Sequence, residues 1–223
     1  MTKNDGFLRK DDLAQIPWPI ERRPLSTRFD GYRVHTMPEP AAGRNLIEML
    51  NILGHFPARR RNPDTPAGSV LLAEIMRRAQ IDRRDRPFDP SFFQQVEDKR
   101  LLKADYAEAV AKQIRRRIDP PKRRRREKPG ASSSRRGTPS HPEADSADEL
   151  RGETTHLSCA DAAGNFVGLT QSIERVFGSF VVTPSLGFLY NDYMSAFDAE
   201  DYSHPYYLRP NAVPWASVAP TLV

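Results

Sequence analysis

The stretch that decides the fold runs from Thr154 to Ser172 and reads TTHLSCADAAGNFVGLTQS. Residues 156–161 predict a short strand, and residues 166–172 predict the strand that returns beside it as a hairpin. Between them, Ala163-Gly164-Asn165 predicts a tight turn, because Gly and Asn tolerate a positive φ. The sequence therefore predicts an antiparallel pair of strands that begins at a Thr pair.

Working outward, residues 154–223 contain two further candidate strands, at 180–183 and 187–190. The preceding part, residues 1–118, is mainly helical. Apolar residues that recur near the helical period predict five helices, at 8–16, 43–56, 68–84, 89–97 and 100–117. One strand is predicted at 32–37, where residue types alternate.

Residues 119–153 differ from both neighbouring parts. Gly, Ser, Pro and charged residues fill this segment, and almost no large apolar side chain occurs before Leu150. Such a stretch cannot bury enough apolar surface to offset the entropy lost on ordering. We therefore predict a disordered linker or exposed loop between residues 1–118 and 154–223.

The charge of the chain is concentrated in this segment. The 34 Lys and Arg exceed the 29 Asp and Glu, which gives a net charge of +5. Residues 115–137 hold 11 basic and 2 acidic side chains, and residues 138–153 hold 1 basic and 5 acidic ones. An Arg-rich tract at 115–137 raises the alternative of nucleic-acid binding. We do not favour nucleic acid as a partner, because no aromatic residues interleave the tract and no recognition fold adjoins it.

Several other classes of protein and site are disfavoured by the sequence. No apolar run of about 18 residues predicts a membrane span, and the polar segment Met1–Lys10 predicts no signal peptide in this chain. Cys159 is the single cysteine, which excludes an internal disulfide and a Cys-clustered zinc site. We predict no metal and no cofactor.

The motifs of the chain, taken in order, resemble the γ-glutamyltransferase (γ-glutamyltranspeptidase) family. The start of that family's small subunit is similar to Thr154-Thr155-His156, Asp161, Gly164-Asn165, Leu169-Thr170 and Phe177-Gly178. The resemblance continues in four further segments, Gly31-Tyr32-Arg33-Val34, Leu50-Asn51-Ile52-Leu53, Gly187-Phe188-Leu189-Tyr190-Asn191-Asp192 and Ala219-Pro220-Thr221-Leu222-Val223. It covers nearly the whole chain and spans the end of the large subunit and the start of the small subunit.

The resemblance implies an α+β fold, the αββα sandwich of N-terminal-nucleophile (Ntn) hydrolases. We expect this sandwich to be incomplete, because both chain ends correspond to points inside the family domain. The resemblance also implies a zymogen that cuts its own chain at Glu153–Thr154. The freed α-amine of Thr154, with an ordinary pKa of about 7.7–8.0, then takes the proton of the Thr154 hydroxyl. The implied reaction moves a γ-glutamyl group from glutathione or another γ-glutamyl compound to water, an amino acid or a peptide.

The remaining site residues follow from the same resemblance. Thr170 and Ser172 correspond to Thr positions that support the nucleophile. Glu174 stands where the family receives the amino group of the substrate. Ser217 is the second member of a pair that holds the substrate carboxylate.

Three positions depart from the family pattern. Tyr193 and Ala196 stand where the family has a Gln and an Asp that grip the glutamyl amino group, and Ala216 replaces the first Ser of the pair. We therefore expect weak or no activity from this chain alone. A non-catalytic remnant or interaction module, which needs a flanking polypeptide of the same family, is the alternative. Localisation stays open, although the family is often periplasmic or secreted.

Overall fold

The computed structural model describes residues 9–14, 21–84, 99–119, 152–204 and 206–223. The predicted helix at 89–97 and nearly all of the predicted linker at 119–153 lie outside these residues. The described helices are α1 (Lys10–Ala14), α2 (Gly43–Gly54), α3 (Pro66–Arg84) and α4 (Ala104–Ile118). The described strands are β1 (Leu25–Phe29), β2 (Tyr32–Thr36), β3 (Gly152–Ala160), β4 (Phe166–Arg175) and β5 (Thr221–Leu222). Among the described helices, none is long and apolar enough to cross a membrane.

The first sheet has the order β1-β2-β5, and both of its pairs are antiparallel. Strand β2 confirms the prediction at 32–37, whereas β1 was missed. The signal for β1 is the two-residue turn Asp30-Gly31, in which φ is 48° and 89°. Positive φ at both positions defines the type of turn that joins tightly paired strands. Residues 25–29 therefore form the hairpin partner of β2.

The buried interior of the described residues lies between α2, α3 and α4. Its buried members are Ile52, Phe56, Leu71, Ile75, Ala107, Val110, Ala111 and Ile114. These positions confirm the predicted helices at 43–56, 68–84 and 100–117. The last of these helices begins later than predicted, because Lys99–Leu102 forms a separate 3-10 turn before α4. Helix α2 also packs on β1, which joins the helices to the first sheet.

Strands β3 and β4 form the predicted hairpin as a second, two-stranded sheet. Pairing extends from Gly152–Arg175 at the open end to Ala160–Phe166 at the turn. The turn is closed by Asp161, whose carboxylate accepts hydrogen bonds from the backbone N–H and the side-chain amide of Asn165, at 2.8 Å and 2.6 Å. Strand β3 begins at Gly152, so it includes Thr154 and Thr155.

The predictions of strands at 180–183 and 187–190 were wrong. These residues pair only through an isolated bridge between Val182 and Leu189, with three backbone hydrogen bonds between the two segments. The backbone has positive φ at Phe180 (58°), Ser185 (68°) and Gly187 (73°). A strand requires φ near −120° to −140°, so these turns prevent extended pairing.

The C-terminal segment crosses from the second part of the chain back to the first. The backbone N–H of Ala216 donates to the carbonyl of Pro40 at 3.1 Å, and that of Ala42 donates to the carbonyl of Val218 at 2.9 Å. Strand β5 then pairs with β2. Gly168 in β4 lets β5 approach closely, since a Cβ at this position would lie 3.3 Å from Leu222 Cδ2. This approach brings the two sheets together.

Candidate functional site

Thr154 and Ser172 face each other across β3 and β4. The Thr154 hydroxyl Oγ1 donates to Ser172 Oγ at 3.1 Å, and Ser172 Oγ also accepts the backbone N–H of Glu174 at 3.1 Å. Thr154 is exposed, whereas Ser172 is half-buried. The two hydroxyl groups that the sequence placed together are therefore in contact, with the nucleophile candidate facing solvent.

The strand pairing is irregular at the bond that the sequence analysis singled out. The register shifts between Glu153 and Thr154, where Glu153 pairs with Glu174 and Thr154 pairs with Ser172. Glu174 itself has a φ of 72°. A bulge interrupts the ladder, bends the strand and redirects a side chain. The backbone at Glu153–Thr154 is therefore less regularly paired than the rest of β3.

A second polar contact follows one step further along the same face. His156 Nδ1 lies 2.8 Å from Thr170 Oγ1, and His156 Nε2 lies 2.9 Å from Ser158 Oγ. Because side chains alternate along a strand, Thr154, His156 and Ser158 share one face. Thr170 contacts His156, and this pair lies two residue pairs along the ladder from Thr154 and Ser172. Sequence reasoning gave His156 no role, and the signal that would have found its contacts is this alternation.

The turn that follows residue 190 packs beside the end of β4. Asp192 accepts the backbone N–H of Arg175 at 3.1 Å, and its own N–H donates to the carbonyl of Ile173 at 3.3 Å. These bonds place Tyr193, the first residue of the 3-10 turn Tyr193–Ala196, next to the site. Burial raises the pKa of the Tyr193 phenol, a hydrogen bond with Ser172 lowers it, and the nearby Glu174 carboxylate raises it further.

A cleft of about 220 Å³ opens beside the two β4 hydroxyl groups. Its described lining comprises Thr170, Ser172, Tyr193, Pro214, Ala216 and Val218. The last three come from the segment that is bonded to Pro40 and Ala42, so the helical part of the chain holds one wall of the cleft. Ser217, which the sequence analysis assigned to substrate binding, is exposed and is absent from this described lining. Ala216 occupies the wall instead.

Metal ligands do not converge in the described part of the chain. Residues 9–14, 21–84, 99–119, 152–204 and 206–223 contain no group of three or more His, Cys, Asp or Glu side chains arranged to hold an ion. The chemistry available at the described cleft is that of hydroxyl groups, a phenol and a nearby carboxylate. These groups suit hydrogen bonding and acyl transfer through a hydroxyl nucleophile.

Comparison with known proteins shows which family the chain resembles. The family model for gamma-glutamyltranspeptidase matches residues 1–223. The glutathione hydrolase proenzyme of Escherichia coli (strain K12) is 30% identical, over 100% of this chain and 37% of that protein. The acylase ACY 1 proenzyme of Pseudomonas sp. (strain V22) is 31% identical, over 89% of this chain and 32% of that protein. The chain thus spans about a third of the length of these relatives.

The fold of the chain also matches a solved structure of an acylase. A cephalosporin acylase from Bacillus halodurans matches with a TM-score of 0.69 and 27% identity, over 99% of this chain and 35% of the acylase. That acylase has the Ntn-hydrolase fold, so the predicted α+β class and Ntn architecture are confirmed for the matched third of that fold. The resemblance noted from the ordered motifs is confirmed by the family match.

Proposed function

Since the chain belongs to the gamma-glutamyltranspeptidase family, we propose that it carries the Thr nucleophile of an amide hydrolase and acyltransferase that acts on γ-glutamyl compounds. The observation that carries the proposal is the hydrogen bond of 3.1 Å from Thr154 Oγ1 to Ser172 Oγ. A Thr hydroxyl is a weak nucleophile until a neighbouring group orients it and removes its proton. Ser172 is the orienting neighbour in this proposal.

The proposed reaction begins with the chain itself. Cleavage of the Glu153–Thr154 peptide bond releases the α-amine of Thr154, whose ordinary pKa of about 7.7–8.0 suits a base at neutral pH. Residues 1–118 and 154–223 then form two subunits, and residues 119–153 are the segment that precedes the cut. The register shift at Glu153–Thr154 supports this assignment, because the ladder is interrupted at that bond and Thr154 is exposed.

Acyl transfer from the substrate to Thr154 follows this cleavage. The α-amine takes the proton of Thr154 Oγ1, the oxygen attacks the amide carbonyl of the substrate, and the amide nitrogen leaves with a proton. Thr154 now carries the acyl group as an ester. Water, an amino acid or a peptide attacks the ester, releases the acyl group and restores the hydroxyl. Glutathione is the γ-glutamyl donor suggested by the glutathione hydrolase relatives.

The supporting residues have separate proposed roles. Ser172 orients Thr154, and Thr170 continues the polar face through its contact with His156. Glu174 receives the amino group of the substrate, a role that its half-buried carboxylate beside Tyr193 can serve. Ser217 is exposed, and its assignment to substrate binding stays a prediction from the resemblance.

The test compares the unaltered chain with Thr154→Ala and Thr155→Ala, using release of p-nitroaniline from γ-glutamyl-p-nitroanilide. Thr154→Ala removes the attacking oxygen, so we expect at least a ~10³-fold loss, to the background rate. Thr155 is the adjacent exposed residue on the opposite strand face, and its substitution is expected to change the rate less than threefold. Turnover that survives in Thr154→Ala would refute the assignment of Thr154 as the nucleophile. A folded chain without turnover would favour the non-catalytic alternative.

A further inference from the structure

We propose that the cleft beside Ser172 accepts amides of small acyl groups that lack a carboxylate, and that this chain turns them over faster than γ-glutamyl amides. This inference rests on the proposed function, because it needs Thr154 as the nucleophile. It adds a second substrate class, which is defined by what the walls of the cleft can and cannot bind. The reaction is the same exchange of an amide for a Thr154 ester and then for a free acid.

The described wall of the cleft is uncharged. Pro214, Ala216 and Val218 supply an apolar side, and Thr170, Ser172 and the phenol of Tyr193 supply uncharged polar groups. None of the described residues that line the cleft carries a charge. A carboxylate that leaves water for such a site, without a cation or several hydrogen-bond donors, is strongly disfavoured. The methylene groups of an uncharged acyl chain are favoured there.

The charges around the cleft also disfavour a carboxylate. Glu174 is half-buried beside Tyr193, so its carboxylate repels an incoming carboxylate and attracts an amine. The nearest described cation in sequence, Arg175, pairs with Asp192 at 3.6 Å and has a mostly exposed side chain. Arg83 lies over the ring of Trp215, 3.8 Å from its centroid. Neither Arg83 nor Trp215 is among the described residues that line the cleft.

The size of the cleft suits a short acyl chain. Its volume of about 220 Å³ is below the roughly 300–1,000 Å³ of pockets that hold drug-sized ligands. A short acyl chain is sufficient to fill a space of this size. The Tyr193 phenol lies within hydrogen-bonding range of Ser172 and Glu174. This position leaves the apolar wall for the acyl chain.

The experiment uses four p-nitroanilides that differ only in the two charged groups of the acyl chain: γ-glutamyl, glutaryl, 4-aminobutyryl and butyryl. We expect kcat/KM for butyryl and 4-aminobutyryl to exceed that for γ-glutamyl and glutaryl at least tenfold. A γ-glutamyl preference in a protein that still needs Thr154 would overturn this inference and leave the proposed function standing. Turnover that is independent of Thr154 would overturn both.

A charge placed in the wall provides the matched variant. Ala216→Lys adds a cation to the cleft, so we expect the butyryl-to-glutaryl ratio to fall at least tenfold. Gln171→Lys adds the same charge on the opposite face of β4, between Thr170 and Ser172, and is expected to leave the ratio unchanged. Equal shifts in both variants would contradict the placement of the acyl group.

Binding without turnover is measured by calorimetry with two boronic acids that add to a Thr hydroxyl. Propylboronic acid mimics the butyryl group, and 2-amino-4-boronobutanoic acid mimics the γ-glutamyl group. We expect the first to bind at least tenfold more tightly. Tighter binding of the second compound, or no binding of either, would overturn the inference even if turnover is too slow to follow.

Discussion

The helical part of the chain and the β3–β4 hairpin differ in where they keep their apolar side chains. Between α2, α3 and α4, Ile52 and Leu71 are 0% exposed. In the hairpin, none of the described residues 154–175 is buried, and Leu157 and Leu169 are 55% and 52% exposed. Stability therefore resides in the helical packing, whereas the strands that carry Thr154 are held by their backbone ladder and by polar contacts.

The largest expected effect compares the same substitution in the two regions. Leu71→Ala removes a fully buried side chain and leaves a cavity, so we expect a loss of about 2–5 kcal/mol in the free energy of unfolding. Leu157→Ala removes a side chain that is already more than half exposed, and its cost is expected to stay below about 1 kcal/mol. Urea titration followed by far-UV circular dichroism measures both. Equal losses of unfolding free energy in the two variants would show that the hairpin contributes to stability as much as the helical part.

A second test uses the buried carboxyl group of the helical part. The pKa of Glu48 is raised to about 8, first because of burial and then because of the hydrogen bond and charge of Asp82, while Arg44 and Arg78 oppose the rise. Between pH 4.5 and 8 the folded chain therefore keeps a proton that the unfolded chain has lost. The free energy of unfolding falls as pH rises through this window, by at most about 1.4 kcal/mol per pH unit.

Glu48→Gln isolates this contribution, because it removes the ionisable group and keeps a side chain of similar size. We expect the variant to lose the downward slope between pH 4.5 and 8, as measured by urea titrations across the range. Glu108→Gln is the control, since Lys112 lowers the pKa of the exposed Glu108. A slope that persists in Glu48→Gln would show that another group is responsible.

The smallest expected effect concerns the turn of the hairpin. Asp161→Ala removes the carboxylate that accepts two hydrogen bonds from Asn165. We expect faster hydrogen exchange at the amides of β3 and β4 and no change in α2 to α4, because the turn supports only the local ladder. Asp161→Asn keeps one acceptor oxygen, so we expect its exchange rates to lie between those of the unaltered chain and those of Asp161→Ala. Faster exchange in the helices as well would show that the regions are coupled.

The same contrast explains how much of the fold could be predicted from the sequence. Helices α2, α3 and α4 bury one face, and the resulting period is visible in positions such as Ile52, Ile75 and Ile114. Strand β1 was missed, since its five residues carry a weak pattern and the signal was the Asp30-Gly31 turn. The apolar residues at 180–190 look like two strands, but positive φ at Phe180 and Gly187 interrupts the extended backbone of each.

Prediction of the site was limited by contacts between distant segments. The pairing of Thr154 with Ser172 could be predicted because a hairpin brings its own residues together. The wall formed by Ala216 and its neighbours could not, since it depends on backbone bonds to Pro40 and Ala42 across the whole length of the chain. Ser217 is exposed, whereas Ala216 lines the cleft, a difference that only these long-range bonds determine.

In the proposed function, Thr154 becomes the nucleophile when the peptide bond between Glu153 and Thr154 is cut. The most direct test is the intact mass of the purified chain during prolonged incubation at neutral pH, with Thr154→Ala and Thr155→Ala alongside. We expect two products with the masses of residues 1–153 and 154–223 in the unaltered chain and in Thr155→Ala, and none in Thr154→Ala. An unaltered chain that stays whole, a cut at another bond, or cleavage of Thr154→Ala would contradict it.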